Sequence, residues 1–191
     1  MEKLRFKDEN GIDFPKWQKT KLITIGEAYS GLTGLNKNFF ETSNDNAKYI
    51  TYMDVFSKSI INHPSGTFLN KKDNQNLVKH GDVLFTTSSE NVEEVGIASV
   101  YLGEENTYLN SFCFGWTSDL PRDHYYMIYM LTSNKLRKEI IKLGQGSTRF
   151  NISKNKLMAL EILMPIKREQ EKIGRFLSLF DRLLEKINEK I

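Results

Sequence analysis

The sequence predicts an α+β fold, with a mixed or antiparallel β-rich domain and packed helices followed by a long C-terminal helix. Several short segments between residues 17 and 116 are rich in β-branched and aromatic residues. Turn residues rather than helices separate them, which is typical of a mixed or antiparallel sheet or a partial barrel. Residues 123–143 and 166–191 show helical periodicity instead. A chain of 191 residues accommodates one domain of ordinary size plus an appended helix.

The predicted strands are short and bounded by glycine, proline or asparagine. The first runs from Trp17 to Ile25 and offers Leu22, Ile23 and Ile25 for burial. The others cover Lys48 to Val55, Val83 to Thr87, Val95 to Leu102, Tyr108 to Trp116 and Leu160 to Met164.

Two polar loops between these strands are candidates for ligand contact. The loop from Tyr29 to Asn38 lacks the G-x-x-x-x-G-K-[ST] spacing of a phosphate-binding loop, so it either reads base edges or simply turns a corner. The second loop runs from Lys71 to Asn76, after a turn at 63–66. Residues 1–16 are polar and are expected to form a loosely packed arm.

The helical pattern from Asp123 to Leu143 predicts one helix. It ends at Gly144-Gln145-Gly146, because glycine terminates helices. Ser153 is a suitable N-cap for a short helical turn through Leu157. The side chains expected to face inward are Tyr126, Met130, Leu136, Ile140 and Leu143.

The terminal helix carries heptad repeats, and Pro165 lies in its first turn, where proline is tolerated. A seam this narrow predicts a partner helix, whereas the alternative is a helix that folds back on its own domain. The seam positions are Ile166, Gln170, Ile173, Leu177, Phe180, Leu184, Ile187 and Ile191.

The net charge of +3 says little about partners, but the charges are unevenly distributed. Basic residues dominate residues 135–156 and acidic residues dominate 90–105. Such a surface suits a protein that meets phosphates on one side, or it consists of ordinary solvated faces. The lone Cys113 lies in an apolar run and is expected to be buried, which fits a reducing cytoplasmic location. We expect no signal peptide and no membrane-spanning segment.

Catalytic motifs are not evident. His63, His80 and His124 lie far apart in the sequence and lack the spacing of metal ligands. The G-x-S-x-G and G-x-G-x-x-G motifs are absent from the sequence, as is an acidic residue followed two positions later by lysine. The sequence therefore predicts a chain without catalysis and without a metal or cofactor of its own.

Motifs along most of the chain resemble the specificity subunits of type I restriction-modification systems. The order of the motifs makes the resemblance specific, and the block after Pro165 is its most distinctive part. The motifs are Leu4-Arg5-Phe6, Phe14-Pro15-Lys16-Trp17, Lys21-Leu22, Gly81-Asp82-Val83-Leu84-Phe85-Thr86, Leu109-Asn110-Ser111-Phe112-Cys113, Gly144-Gln145-Gly146, Ile152-Ser153, Leu157, Met164-Pro165, Glu169-Gln170-Glu171-Lys172-Ile173, Leu177 and Phe180-Asp181.

The resemblance implies a non-catalytic reader of double-stranded DNA. Residues 1–164 would form a target recognition domain, and 165–191 a conserved coiled-coil helix that packs against a counterpart and docks modification subunits. S-adenosylmethionine would belong to those methyltransferase subunits, and ATP and Mg to the restriction subunit that they recruit.

Members of this family contain two recognition domains and two helices, whereas this sequence has one of each. It is therefore either a half-subunit or part of a longer one. A half-subunit is expected to form a homodimer through its helix and to read a two-fold symmetric, interrupted target.

The candidate DNA contacts lie in polar loops, where amide and guanidinium groups could read bases and lysines could bind phosphates. Tyr49 and Tyr52 are expected in the core or on a sheet face instead. Two alternatives to the specificity subunit remain: a stand-alone dimeric DNA-binding regulator, and a nuclease or modification enzyme with an unrecognised site. The candidates are Asn36, Lys37, Asn38, Lys71, Lys72, Ser88, Ser89, Asn91, Ser147, Thr148, Arg149 and Lys154.

Overall fold

The computed structural model describes residues 5–34, 46–70, 74–104 and 106–189, with the backbone alone for residues 46 and 67–70. The helices are α1 (Leu22–Ile25), α2 (Tyr52–Ser57), α3 (His124–Thr132), α4 (Asn134–Ile141), α5 (Lys154–Met158) and α6 (Lys167–Asn188), with a 3-10 helix at Val92–Glu94. The strands are β1 (Gln18–Lys21), β2 (Glu27–Ser30), β3 (Asn46–Ile50), β4 (Ile60–Ile61), β5 (Gly66–Asn70), β6 (Val83–Thr86), β7 (Ser88–Ser89), β8 (Ala98–Tyr101), β9 (Thr107–Leu109), β10 (Cys113–Thr117), β11 (Phe150–Asn151) and β12 (Glu161–Met164).

A mixed sheet with the strand order β2-β10-β6-β8-β4 forms the centre of the domain. Its neighbours are antiparallel except β4 and β8, which are parallel. A smaller sheet has the order β5-β3-β9, and β1 pairs with β12 as β7 pairs with β11. The predicted α+β class with a mixed sheet is confirmed.

Both faces of the central sheet are covered. Successive residues of β6 point to opposite faces, so Val83 and Phe85 enter the core beneath α3 and α4 while Leu84 enters a second core beneath α2. A strand buried on both faces reads as a continuous apolar run rather than an alternating one. Cys113 is buried as predicted, and burial raises the pKa of its thiol to about 12.

The first predicted strand is wrong in its second half. The extended segment ends at Lys21, and Leu22–Ile25 forms one helical turn. The Thr24 hydroxyl donates to the Lys21 carbonyl oxygen at 2.7 Å, a local bond that competes with the extended conformation. The turn buries Leu22 as predicted but leaves Ile23 57% exposed.

The predicted strand from Lys48 to Val55 is also too long. It ends at Ile50, and α2 begins at Tyr52 because Thr51 and Asp54 form a reciprocal capping box. The Thr-x-x-Asp spacing is typical of the start of a helix, whereas the strand prediction relied on the β-branched and aromatic residues around it.

The segment predicted as one strand from Tyr108 to Trp116 is two strands in different sheets. A turn at Asn110 separates β9 from β10. The Asn110 side-chain oxygen accepts the Phe112 amide proton at 2.8 Å, and its carbonyl accepts that of Cys113 at 3.0 Å. Asparagine commonly forms turns of this kind with its own side chain.

The single helix predicted from Asp123 to Leu143 is also wrong, since α3 and α4 are separated by Ser133. Its ψ of 141° interrupts the helix, and its hydroxyl donates to the Met130 carbonyl at 2.7 Å. The predicted inward side chains are nevertheless correct. Tyr126, Met130, Leu136 and Ile140 are buried, and Leu143 packs against the same core.

The end of the domain follows the prediction closely. Ser153 caps α5, and the predicted last strand is β12. No helix among the described residues combines the length and the apolar composition needed to cross a bilayer.

The N-terminal arm is docked rather than loosely packed, because its described residues bind the first turns of α6. The Glu169 carboxylate is fully buried and accepts hydrogen bonds from Arg5 Nε at 2.7 Å and from Trp17 Nε1 at 3.0 Å. Arg5 also donates to the carbonyl oxygens of Phe14 and Pro15. This carboxylate therefore connects the arm, Trp17 at the start of β1 and α6.

Gln170 connects the same helix to α3. Its side-chain oxygen accepts the Asp123 amide proton at 3.0 Å, and its nitrogen donates to the Pro165 carbonyl at 2.8 Å. Ile173 is fully buried one turn later. The predicted seam is therefore discontinuous, since Gln170 and Ile173 contact their own domain, as the fold-back alternative expected.

The rest of the seam has a different environment. Ile166 precedes the helix and is 43% exposed, Leu177 packs partly against the core, and Ile191 lies outside the described residues. The division of the chain at 164/165 stays a prediction. The large apolar side chains left exposed on α6 are Phe176, Leu179, Phe180, Leu183, Leu184 and Ile187.

Replacing Glu169 by alanine leaves Trp17 Nε1 and Arg5 without their acceptor. We expect the free energy of unfolding to fall by about 2–3 kcal/mol, because hydrogen bonds to a buried charge are among the stronger ones and Arg5 can regain water. Urea unfolding at fixed protein concentration measures the change. Glu171→Ala, at an exposed position of the same helix, should change it by less than about 0.5 kcal/mol. Equal effects would contradict the role given to Glu169.

Candidate nucleic-acid interface

The turn between β9 and β10 presents an exposed aromatic ring on a rigid backbone. The Phe112 side chain is 54% exposed. Its carbonyl oxygen accepts hydrogen bonds from the Thr87 amide at 2.9 Å and the Thr87 hydroxyl at 2.7 Å, and its amide is held by Asn110. The ring is therefore exposed on a backbone that these hydrogen bonds hold in place.

Arg149 lies over this ring. Its guanidinium carbon is 5.3 Å from the Phe112 ring centroid, within the range of a cation–π interaction. One guanidinium nitrogen, Nη2, donates to the Ser88 hydroxyl at 3.2 Å. The cation is thus oriented from two sides while its remaining N–H groups stay available.

The loop that carries Arg149 is closed by main-chain pairing. The amides of Gln145 and Asn151 donate to each other's carbonyl oxygens at 2.9 and 2.8 Å. Gly146 adopts a φ of 139°, and a Cβ atom there would collide with the Arg149 carbonyl oxygen. This position therefore requires glycine, whereas Ser147 and Thr148 are exposed on the same loop.

The candidates Ser88, Ser89 and Asn91 bind protein groups. Ser88 and Ser89 are buried on β7, which pairs with β11. The Ser89 hydroxyl donates to Glu94 Oε2 at 2.9 Å, and Asn91 caps the 3-10 helix by accepting the Glu93 amide proton at 3.0 Å. The two serines therefore position other side chains at this surface.

Lys154 lies at the other side of the surface. Its ammonium group donates to the Ser30 hydroxyl at 3.2 Å, where β2 ends beside β10. The following loop is bound to a second one, since Thr33 and Gln75 exchange hydrogen bonds of 3.0 and 3.1 Å.

These two loops flank the segments that hold the other candidates. Asn46 pairs with Asn70 across β3 and β5, so the described ends of both segments meet at one side of the domain. Asn36, Lys37, Asn38, Lys71 and Lys72 themselves lie outside the described residues.

A pocket of about 300 Å³ opens between Phe112, α2 and the 3-10 helix. We call it the Phe112 pocket. Tyr52 donates its hydroxyl to the Ser88 carbonyl at 2.7 Å and stacks on Phe56, with ring centroids 5.9 Å apart. Besides Arg149 and the two serines, its walls include Tyr52, Met53, Phe56, Glu90, Glu94 and Phe112.

The sequence prediction missed the contribution of α2 and of Phe112 to this surface. Tyr49 agrees with the prediction, because it is half-buried and accepts a hydrogen bond of 2.6 Å from the Asn110 side chain. Tyr52 packs partly against the second core, as predicted, and also lines the pocket. The Thr51-x-x-Asp54 signal would have revealed the helix that brings it there.

Other clusters do not add a metal centre within the described parts of the chain. His80 and His124, remote in sequence, lie with ring centroids 5.6 Å apart. Burial, followed by the charge of Arg122, lowers the pKa of His124. Among the described residues, no group of three or more His, Cys, Asp or Glu side chains is arranged to hold a metal ion.

The sequence profile of the Type I restriction modification DNA specificity domain matches residues 15–191. The chain belongs to this family.

Solved structures share the fold. The S subunit of a type I restriction-modification system from M. genitalium superposes with a TM-score of 0.58 at 22% identity, covering 96% of this chain and 43% of that one. A chain from a structure on complex assembly and conformational transition of the type I R-M system gives 0.71 at 17% identity, with 96% and 43% covered. An HsdS subunit from Thermoanaerobacter tengcongensis gives 0.67 at 16% identity, with 92% and 40% covered. This chain thus spans about two-fifths of the length of those chains.

Several of the sequence motifs shared with the specificity family have structural roles in the fold. Asp82 is buried and accepts hydrogen bonds from the Tyr29 hydroxyl at 2.5 Å and the Lys79 amide at 2.9 Å, after Gly81 turns with a φ of 86°. The Gly144-Gln145-Gly146 motif forms the base of the Arg149 loop. The Glu169-Gln170 pair docks α6.

The position of α2 beside the Phe112 pocket depends on Asp54. Burial alone would raise the pKa of this carboxyl, but hydrogen bonds from Lys58, Ser65 and Thr51 hold it at about 2. A carboxyl with a lowered folded-state pKa stabilises the fold above its ordinary pKa of 3.8. That contribution is lost as the pH falls towards the folded-state value.

We therefore expect Asp54→Asn to lower the urea midpoint at neutral pH and to flatten the loss of stability between about pH 4 and pH 2. Urea unfolding across a pH series measures both effects. Asp13→Asn, at an exposed position, should keep the steep acid dependence. An unchanged acid slope in Asp54→Asn would show that other carboxyls cause it.

Proposed function

We propose that this chain is a sequence-reading unit of a type I restriction-modification system that recognises one half of a bipartite double-stranded DNA target. The supporting observation is the surface built from Phe112, Arg149 and Lys154 in a chain of the specificity domain family. The reader itself would be non-catalytic, and the chemistry would belong to its partners.

The geometry suits DNA for two reasons. Base reading requires a donor-rich side chain in a fixed orientation, and Arg149 is oriented by Phe112 and Ser88. Backbone binding requires a positive charge near the bases, and the half-buried Lys154, whose ammonium group bonds to Ser30 at 3.2 Å, is the proposed source. Asn36, Lys37, Asn38, Lys71 and Lys72 stay candidates for further DNA contacts on the sequence alone.

The exposed apolar half of α6 is proposed to pair with a second copy of the chain. Large apolar side chains that recur on one face of an isolated helix are stabilised by a counterpart. The 22-residue helix measures about 33 Å at 1.5 Å per residue, which is close to the roughly 34 Å of one DNA turn. Only the part of the helix beyond Ile173 is available to pair, so the pairing of two copies would set the distance between their two half-sites.

The remaining partners are proposed from the family. Methyltransferase subunits carrying S-adenosylmethionine would dock on the paired helices, and a restriction subunit using ATP and Mg would join through them. Co-purification of the full chain with its modification subunit, followed by mapping of methylated sites, tests this assignment. Methylation at an interrupted, two-part sequence is the expected result. If replacing this chain by a different specificity chain left the methylated sequence unchanged, the assignment would be overturned.

Lys154 is expected to contact a DNA phosphate. Lys154→Ala should weaken binding to cognate and non-cognate duplexes alike and reduce the slope of log affinity against log salt by about one. Fluorescence anisotropy across a salt series measures both quantities. Lys19→Ala removes an exposed lysine from β1, far along the chain from this surface, and should leave the slope unchanged. A sequence-selective loss in Lys154→Ala would instead indicate a base contact.

Self-association through α6 is expected to be sensitive to charge on its exposed face. The wild-type chain should sediment as a dimer at concentrations on the order of tens of micromolar. Leu184→Glu should produce a monomer, because it places a charge in an apolar interface. Leu77→Glu introduces the same change at another exposed leucine and should leave the dimer intact. A wild-type monomer at these concentrations would rule out self-pairing.

A further inference from the structure

The Phe112 pocket contains two opposite charges that are kept apart. Arg149 and Glu94 both line it. Among the residues that the structure describes, these two form no ion pair within 4.0 Å. Each is held by one of two consecutive serines: Arg149 donates to Ser88 Oγ at 3.2 Å, and Glu94 accepts from Ser89 Oγ at 2.9 Å. The pocket therefore offers separate hydrogen-bond donors and acceptors.

This charge distribution argues against a phosphate in the pocket. Glu94 and the exposed Glu90 both line it, and two carboxylates repel an anion. A neutral ligand edge that presents acceptors beside a donor would satisfy both Arg149 and Glu94. The aromatic and methionine side chains of the walls would exclude water from such a contact and strengthen it.

One DNA feature has this pattern in the major groove. Guanine presents the acceptors O6 and N7, which arginine contacts in a bidentate manner, and the paired cytosine presents the N4 amino donor, which glutamate accepts. Adenine and thymine present a different order of groups, for which asparagine or glutamine is the usual partner.

We propose that Arg149 and Glu94 together read a single C·G base pair, with Arg149 on guanine and Glu94 on the cytosine amino group. The inference deepens the proposed function and rests on it. Ser88 and Ser89 act as positioning residues that hold the two charged groups, and Phe112 supports the guanidinium. Glu94 was not a sequence-based candidate, because it lies in an acidic stretch typical of solvated surface.

Selection of duplexes from a random library by the full chain, with its modification subunit present, tests the inference. The wild-type motif should contain a C·G pair at which Arg149→Ala and Glu94→Gln both lose discrimination, by roughly 5- to 100-fold in relative affinity. Glutamine preserves the bond from Ser89 while removing the negative charge proposed to accept from the cytosine amino group. Glu93→Gln, which removes the same charge outside the pocket, should leave the motif unchanged.

A second measurement changes the DNA instead of the protein, so its main result is obtained with the wild-type chain. Substituting 7-deazaguanine at the assigned position removes the N7 acceptor, and it should weaken wild-type binding but not binding by Arg149→Ala. The inference would be overturned if Arg149→Ala and Glu94→Gln changed the base preference at two different positions of the DNA motif, or weakened binding to all sequences equally. The proposed DNA reading would still stand in either case. A wild-type chain that enriches no motif would overturn the proposed function as well.

Discussion

The packing of the terminal helix on the domain depends most on the hydrogen bonds that the buried carboxylate of Glu169 accepts. Glu169 lies in the first turn of α6 and accepts hydrogen bonds from Arg5 and Trp17, so residues more than 150 positions apart in sequence meet at one group. A buried charge is tolerated only when it is paired and hydrogen-bonded. The arm, the first strand and the helix must therefore dock together, and Gln170 adds the connection to α3.

This docking divides α6 into two halves with different tasks. The first half is docked in the domain, because Gln170 and Ile173 are buried there. The second half bonds to α3 through Tyr129 and Asp181 at 2.6 Å but carries exposed leucine and phenylalanine side chains on another face. Because its first half is docked, the whole helix has a fixed orientation relative to the domain. If the second halves pair, the separation and rotation of two reading surfaces are set by one rigid connection rather than by a linker.

The surface proposed to read DNA shows a similar division between support and contact. Its main chain is fixed by the Asn110 turn, the Gly146 turn and the pairing of β7 with β11. The side chains that project from it are free to differ without disturbing the sheet. The buried serines that bond to Arg149 and Glu94 belong to this support.

The sequence by itself determined the fold class, the inward faces of α3 and α4, the cap at Ser153 and the presence of a long terminal helix, because each depends on periodicity or on a local cap. Tertiary structure decided where extended segments stop, since the bonds of Thr24, Asp54 and Asn110 override β-type composition. Only the tertiary structure brought Phe112, Arg149 and Glu94 to one pocket and buried Gln170, a seam position, against its own domain. Heptad spacing describes one helix face, whereas the group that covers it depends on contacts between residues remote in sequence.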